Sequence, residues 1–252
     1  MLWDASTING YAVEASDGRL GTASDLLFED VGWDVRWLVV DTGNWLPGRK
    51  VLLPLKALGQ PDPALHGFPV KLTMQQVRNS PDVSTDQPVS RQIEASVYNY
   101  YGWSSYWSDG GSAVSGVLSP ASLPASKPLD LDRAGAQPNG VDPNLRSIAA
   151  IIGLHVDAAD GEIGHVEDFL VDDADWNIRY IKVDTKNWWP GQSVLISPRS
   201  VRRIDWSDRL VHLNVNRKKV KGSPIYDPSI TVDGAYDEKF LTYYGIKWVK
   251  IK

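Results

Sequence analysis

The sequence predicts a mainly β protein with two small β-barrels, each followed by a short amphipathic α-helix and joined by a flexible linker. Three observations predict this fold class. The chain repeats itself once, each copy consists of short β-prone runs separated by turn residues, and a stretch rich in Ser, Gly, Ala and Pro lies between the copies. Repetition at a fixed spacing, together with closely spaced hairpin signals, is typical of paired small β domains.

The repeat has no gap over most of its length. A shift of 143 residues places Gly10 on Gly153, and the phrase VVDTGNWLPGRKVLLP of the first copy returns as KVDTKNWWPGQSVLIS in the second. We therefore expect a first domain at residues 1–102 and a second at 145–252. The linker at 103–144 contains too little apolar surface to offset its ordering entropy, so we expect it to be flexible.

Each copy opens with a hairpin signal. Two β-prone runs flank Asp17-Gly18 in the first copy, and the second copy repeats them around Asp160-Gly161. An Asp-Gly pair favours a type I′ turn. A β-branched strand follows, then a loop broken by Pro-Gly, and then further short strands. Later in each copy, Thr73 and Asn216 are suited to cap one short turn of helix.

The end of each copy changes to a helical period. With Ser90 and Asp233 as predicted N-caps, apolar side chains recur at helical spacing until Gly102 and Gly245 end the pattern. These apolar positions are Ile93, Val97, Tyr100 and Tyr101, and Tyr236, Phe240, Tyr243 and Tyr244. One amphipathic helix should therefore close each copy.

Composition restricts the classes of function. The 252 residues carry a net charge of -5 and no cysteine, which excludes disulfides, thiolate metal sites and cysteine nucleophiles. The acidic excess lies in the first copy and the second is close to neutral, which is not the basic footprint of a nucleic-acid-binding protein. The apolar runs are far shorter than the roughly 20 residues of a membrane span, and the first residues do not read as a secretory signal. We expect a cytoplasmic protein and leave peripheral membrane association and the oligomeric state open.

The order of the motifs resembles the PRC-barrel family in its tandem form. The motifs are DGxxGxxxDxL, a bulky strand ending in VDT, NWxPGxxVL, Ser-Pro, and a terminal helix ending in YYG. The resemblance implies six-stranded barrels like the cytoplasmic domain of the photosynthetic reaction centre H subunit and the C-terminal domain of the ribosome maturation factor RimM. It also implies an interaction module rather than a catalyst. The 252 residues contain neither the H subunit's transmembrane helix nor the RimM N-terminal domain, so neither specific role is transferred.

The duplicated NWxPG loop is the first candidate binding surface. Here Trp45, Trp188 and Trp189, beside Asn44 and Asn187, would form an aromatic patch next to a rigid turn, a kind of surface that anchors partners. The alternative is structural, because Asn starts the turn, Pro fixes φ, Gly supplies a positive φ, and Trp covers the barrel mouth. Both interpretations stay open.

The strand before this loop supplies a second candidate surface. Its outward face carries an apolar row with Trp37 and Val39, whereas the second copy has Tyr180 and Lys182 at these positions. An apolar row of this kind is normally covered. We predict that the linker, the second barrel or a partner chain buries Trp37 and Val39.

Two arginines predict structural ion pairs. Arg36 and Arg179 begin strands that are otherwise almost uncharged, and they share a face with the predicted inward residues. A guanidinium near a core needs an acidic partner. The available acids are Asp25, Asp30 and Asp41, and Asp168, Asp173 and Asp184.

The sequence shows no catalytic set, cofactor motif or metal site. His155 and His165 flank a turn, but the expected register puts their rings on opposite faces. The leading hypothesis is a non-enzymatic interaction or scaffold protein that binds a protein partner. The alternative, carried by the resemblance alone, is an accessory protein of a membrane or photosynthetic complex, similar to the H subunit, that acts in assembly or in electron and proton transfer. A third hypothesis is a hydrolase that uses Asp41 and Asp184.

Overall fold

The computed structural model describes most of both copies. The described residues are 1–81, 91–105, 145–185, 193–224, 226–227, 232 and 234–245. Most of the predicted linker lies outside them. So do three predicted binding residues, Asn187, Trp188 and Trp189, and the two predicted N-caps, Ser90 and Asp233.

Thirteen strands and six α-helices follow one another along the described chain. The strands are β1 (Leu2–Asp4), β2 (Ala12–Ala15), β3 (Gly18–Glu29), β4 (Asp34–Asp41), β5 (Lys50–Pro54), β6 (Gly67–Pro69), β7 (Leu145–Ser147), β8 (His155–Ala158), β9 (Gly161–Asp172), β10 (Ile178–Asp184), β11 (Ser193–Ile196), β12 (Val201–Asp205) and β13 (Leu210–Leu213). The helices are α1 (Ala5–Ile8), α2 (Met74–Arg78), α3 (Arg91–Tyr101), α4 (Ile148–Ile151), α5 (Arg217–Lys221) and α6 (Gly234–Tyr244). Short 3-10 helices follow β5 at Leu55–Ala57 and β11 at Pro198–Ser200.

The strands form two sheets, so the protein is mainly β as predicted. One sheet has the order β5-β4-β3-β2-β6 and the other the order β11-β10-β9-β8-β13-β12. The predicted barrels are not closed by strand pairing among the described residues. At the open end of the first sheet, Pro54 leads the chain into a 3-10 helix, and the isolated bridge of Leu58 with Val70 stands where a further strand pair would lie. In the second sheet the equivalent pair, Val201 with Leu213, belongs to the regular pairing of β12 with β13, and β11 and β12 remain the two ends of the sheet.

The hairpins form, but their turns differ from the predicted type. Ala15 pairs with Gly18, so Ser16 and Asp17 make the turn, and Asp17 does not have the positive φ that a type I′ turn requires. Its side chain instead accepts a hydrogen bond of 2.7 Å from the Met74 amide at the start of α2. The predicted caps of the short helices are confirmed, since Thr73 and Asn216 accept from the third residue of α2 and α5.

The copies exchange their first strands. β1 of the first copy pairs with β9 of the second, and β7 of the second copy pairs with β3 of the first. The two pairings are equivalent under the 143-residue shift, because Leu2 lies opposite Asp172 and Leu145 lies opposite Glu29. Each copy therefore completes the other's sheet.

Side chains anchor the exchanged strands at equivalent positions. The Trp3 indole donates to Asp173 at 3.0 Å, and the Arg146 guanidinium donates to Asp30 at 2.8 Å. Asp30 and Asp173 were predicted as partners of Arg36 and Arg179. That prediction is wrong, because the exchanged strands occupy these carboxylates.

The two copies also meet at equivalent turns. Trp33 and Trp176 have positive φ values of 60° and 58°, a conformation that costs an L residue roughly 1–2 kcal/mol. Each turn residue accepts a backbone hydrogen bond from the opposite copy: Val35 N donates to the Trp176 carbonyl and Ile178 N to the Trp33 carbonyl, both at 2.8 Å. These contacts place a pseudo-twofold axis between the turns.

One hydrophobic cluster extends through both copies. Phe28 stacks on Trp33 and contacts Phe169 of the second copy, with ring centroids 6.0 Å apart in the latter pair, while Trp176 packs on Phe68 of the first copy. The expectation that each copy encloses its own separate interior is therefore wrong. Packing of the buried Trp33 and the partly buried Trp176 against the opposite copy offsets their backbone strain.

A terminal helix covers the outer face of each sheet, as the helical period predicted. Helix α3 lies over β4 and α6 over β10, and both end at glycines with positive φ, Gly102 and Gly245. Trp37 and Val39 are buried, at 0% and 3% exposure, as predicted. They are covered by α3 of the same copy, which was not among the predicted elements, and by Leu145 of the exchanged strand β7, which belongs to the predicted second copy. None of the helices in the described ranges has the length and apolar character that a membrane span requires.

Candidate functional site: the cleft between the copies

A cleft of about 700 Å³ lies where the two copies meet, beside the pseudo-twofold axis. Both terminal helices and both 3-10 helices contribute to its wall. The apolar lining consists of Trp33, Val35, Leu55 and Tyr98 of the first copy and Ile178, Tyr180, Pro198, Phe240 and Leu241 of the second. Clefts of this size with an apolar lining and a few polar groups are where proteins commonly hold ligands or partner side chains.

The polar groups of the cleft occur as equivalent pairs. Arg36 corresponds to Arg179, and Lys56 corresponds to Arg199 under the same shift. Lys56 and Arg199 lie on the two 3-10 helices, which form because the chain leaves each sheet through a proline. Both side chains are exposed.

Arg36 and Arg179 each bind two carboxylates. Arg36 Nη2 lies 2.6 Å from Glu29 and 3.1 Å from Asp34. Arg179 Nη2 lies 3.1 Å from Asp172 and 2.6 Å from Asp175. The pKa of Asp172 is lowered, because burial, which raises it, is outweighed by the hydrogen bonds from the Ala174 amide and the Arg179 guanidinium. The prediction of structural ion pairs is confirmed, but the predicted partners are wrong, because each arginine binds acids of its own turn.

The acids Asp25 and Asp168 have a different role. The Asp25 carboxylate accepts from the Ser147 hydroxyl at 2.5 Å and from the Ala149 amide at 3.1 Å. Asp168 accepts from the Ser6 amide at 3.1 Å and from the Ser6 hydroxyl. Both acids thus bind the start of the short helix that the opposite copy contributes. Burial raises the pKa of Asp25, and these hydrogen bonds oppose the rise.

The carboxylates of the hydrolase hypothesis lie outside the cleft. Asp41 is exposed and accepts from the Gly43 amide at 2.8 Å, which is a turn contact. Asp184 is largely buried and lies 3.8 Å from His165 Nε2. The two acids occupy equivalent strand ends, and neither faces the cleft lining.

Carboxylates on the cleft wall hold donors from both copies. Asn177 Nδ2 donates to Asp34 Oδ1 at 2.8 Å across the axis. Asp237 of α6 accepts from the Tyr180 hydroxyl, and burial together with this carboxylate raises the pKa of Tyr180. Burial, with a contribution from Glu94, raises the pKa of Tyr98 to about 12. The tyrosines therefore stay neutral donors or apolar surface at ordinary pH.

The NWxPG loop is separate from the cleft. Trp45 is half-buried against the core, and the Arg78 guanidinium lies 5.7 Å from its ring centroid. The Thr42 hydroxyl donates to the Leu46 carbonyl at 2.8 Å and holds the loop, while Asn44 is exposed. In the first copy, these contacts are those expected if the NWxPG loop is a structural turn.

The residues of the cleft that sequence reasoning missed carry no motif. Lys56, Arg199, Tyr98 and Leu241 belong to ordinary polar or helical stretches. One signal was available, since Lys56 and Arg199 are both cationic at equivalent positions just after the duplicated strand. That signal does not show that the two positions face one cleft. They come together only through the exchange of strands, which the sequence does not indicate.

The two histidines differ from their predicted register. His155 lies directly opposite His165, because a bulge at Val156 and Asp157 shifts the pairing by one residue. His155 Nδ1 contacts Glu162 at 2.9 Å. Within the described ranges, no group of three His, Cys, Asp or Glu side chains is arranged to hold a metal ion.

The arrangement of the cleft suits binding. Its carboxylates already accept hydrogen bonds from arginine, asparagine or tyrosine, and its floor is apolar. Comparison with known proteins adds no assignment: no protein-family model matches the chain, and no curated protein matches it.

Proposed function

We propose that this chain is a non-enzymatic interaction protein of the PRC-barrel type, and that a protein partner binds in the cleft between its two copies. The observation that carries the proposal is the composition of the cleft. Its volume is about 700 Å³, its floor is apolar, and tyrosine and arginine side chains lie on its walls. Aromatic and arginine side chains around a desolvated pocket are typical of the central part of protein interfaces.

The rigidity of the cleft also supports a binding role. Its two halves are joined by exchanged strands, by reciprocal backbone hydrogen bonds and by a shared core. A preformed site loses little conformational entropy when a partner binds, so more of the contact energy appears as affinity.

The test is a comparison of two substitutions on one helix. Leu241→Glu places a charge on the cleft wall, whereas Thr242→Glu adds the same charge at an exposed position of α6 outside the cleft. The tagged full chain and both variants are used to purify partners from the native host, and binding of the recovered partner is then measured by calorimetry. We expect the original chain and Thr242→Glu to bind alike and Leu241→Glu to lose binding with an unchanged circular dichroism spectrum. Equal binding by both variants would contradict the proposal.

A further inference from the structure

Each carboxylate that lines the cleft accepts a hydrogen bond from a cleft side chain, whereas two of the lining cations have no carboxylate partner among the described residues. Asp34 accepts from Arg36 at 3.1 Å, Asp175 accepts from Arg179 at 2.6 Å, and Asp237 accepts from Tyr180. These groups already form hydrogen bonds with one another, so they do not require a bound partner to supply donors or acceptors.

Lys56 and Arg199 differ from them. Among the described residues, Lys56 Nζ donates only to the Ser104 carbonyl, at 3.3 Å, and the Arg199 side chain makes no hydrogen bond. Neither cation lies within ion-pair distance of a described carboxylate, although both line the cleft. They stand on opposite sides of the pseudo-twofold axis, one from each copy.

The apolar floor and these two cations define the chemistry of the occupant. From the proposed function, on which this step rests, we infer that the partner presents an apolar segment with acidic side chains, whose carboxylates bind Lys56 and Arg199. Apolar side chains of the segment cover Leu55 and Leu241, the two apolar lining residues that are only partly buried, and its carboxylates pair with the two cations. A basic segment would place like charges against Lys56 and Arg199, which disfavours it.

The test selects short random peptides on the immobilised full-length chain. It uses the original chain, the charge reversal Lys56→Glu with Arg199→Glu, and a control, Lys71→Glu with Arg202→Glu, that changes the net charge equally at exposed positions outside the cleft. Leu241→Glu identifies the peptides that depend on the cleft.

We expect cleft-dependent peptides to be rich in Asp and Glu beside large apolar residues. Lys56→Ala or Arg199→Ala should each weaken them about 2–5-fold, and added salt should weaken them further. The charge reversal should select basic residues instead, and the control should select acidic ones like the original chain.

Two results would overturn the inference and can be told apart. Cleft-dependent peptides without acidic enrichment, or with the same enrichment after charge reversal, would refute the acidic segment and leave the proposed function standing. Peptides that bind equally to Leu241→Glu would refute the proposed function itself, and the inference with it.

Discussion

The two terminal helices cover equivalent faces with different side chains. On the first copy the Trp37 indole donates to Glu94 of α3 at 2.6 Å, and on the second copy the Tyr180 hydroxyl donates to Asp237 of α6. These four residues correspond under the 143-residue shift. An aromatic donor on the strand and a carboxylate on the helix are thus retained while both side chains change.

The apolar packing changes in a compensating way. The large Trp37 lies against Val97 of α3, whereas the smaller Tyr180 lies against Phe240 of α6, at 4.8 Å between ring centroids. Hydrophobic exchanges that conserve total volume are the ones that cores tolerate best. The comparison teaches that the fold fixes the space between strand and helix. The larger side chain that fills this space can come from the strand or from the helix.

A third position shows a change of chemistry. Val39 of the first copy is buried among apolar side chains, whereas Lys182 of the second lies 2.9 Å from Glu167 and 3.9 Å from Asp4. The residues that correspond to Glu167 and Asp4 are Ser24 of the first copy and Ser147 of the exchanged strand β7. A lysine is therefore accommodated only where its carboxylates accompany it.

The largest expected loss of stability comes from substitutions at Gly21 and Gly164, which test whether the backbones of the two copies pack in the same way. A Cβ on Gly21 would lie 2.0 Å from the Asp41 carbonyl oxygen, and one on Gly164 would lie 1.9 Å from that of Asp184. The clash is with backbone, so Gly21→Ala and Gly164→Ala should each lower the free energy of unfolding by about 4 kcal/mol or more. Urea unfolding measures it. Gly43→Ala, at positive φ but with open space, is the control and should cost roughly 1–2 kcal/mol.

The next effect transfers the lysine to the first copy. Val39→Lys buries an ammonium with no acid beside it and should lower the free energy of unfolding by about 3 kcal/mol. Adding Ser24→Glu supplies the carboxylate of the second copy and should restore part of the loss. A double-mutant cycle by chemical denaturation measures the coupling. Unchanged stability of Val39→Lys would show that α3 does not cover this position.

Removal of the aromatic donor should cost less. Tyr180→Phe keeps the shape but removes the hydroxyl that donates to Asp237, and Trp37→Phe removes the indole that donates to the fully buried Glu94 while also opening a gap. We expect a loss of about 1–3 kcal/mol in each, larger for Trp37→Phe. Equal, negligible losses in thermal unfolding would mean that the retained contact is incidental.

The tyrosines predict a loss of stability at alkaline pH. Burial raises the pKa of Tyr98 and the pKa of Tyr244 to about 12 each, from the ordinary value of 10.0. A raised pKa in the folded state means that this stability is complete below pH 10 and is lost as the pH rises from 10 towards 12. Tyr98→Phe and Tyr244→Phe should each flatten the alkaline fall in a pH series of urea unfolding. A fall of the same slope in both variants would assign it to other groups.

The smallest effect is the reverse exchange. Lys182→Val removes a cation whose partners, Asp4 and Glu167, have side chains 37% and 36% exposed. These carboxylates can be hydrated once the lysine is gone, so we expect a change of less than about 1 kcal/mol. A loss as large as that of Val39→Lys would show that the charged cluster of the second copy is as essential as the apolar one of the first.

Much of the fold could be predicted because its signals are local. The repeat, the hairpins, the caps at Thr73 and Asn216 and the closing helices all follow from spacing within a few residues. The register of His155 could not, since a bulge leaves no clear mark in the sequence. Nor could the partners of Arg36, because the prediction placed it facing the core, whereas it lies at the cleft beside the acids of its own turn.

The exchange of strands, and the cleft that it creates, could not be predicted for a different reason. Leu2–Asp4 and Leu145–Ser147 are each suited to either long strand, because β3 and β9 are themselves copies of one another. Local pattern cannot choose between two nearly identical acceptors. The choice follows from packing across the axis, where Trp33 and Trp176 enter the opposite copy.

The exchange also affects the order in which the chain can mature during translation. Leu2–Asp4 leaves the ribosome well before its acceptor, Leu170–Asp172, has been made. At elongation rates of about 5–20 residues per second, the first copy waits for seconds with the β3 edge that later receives β7 exposed. The nascent first half is consequently the stage of biosynthesis at which this protein is most open to mispairing with its neighbours on a polysome.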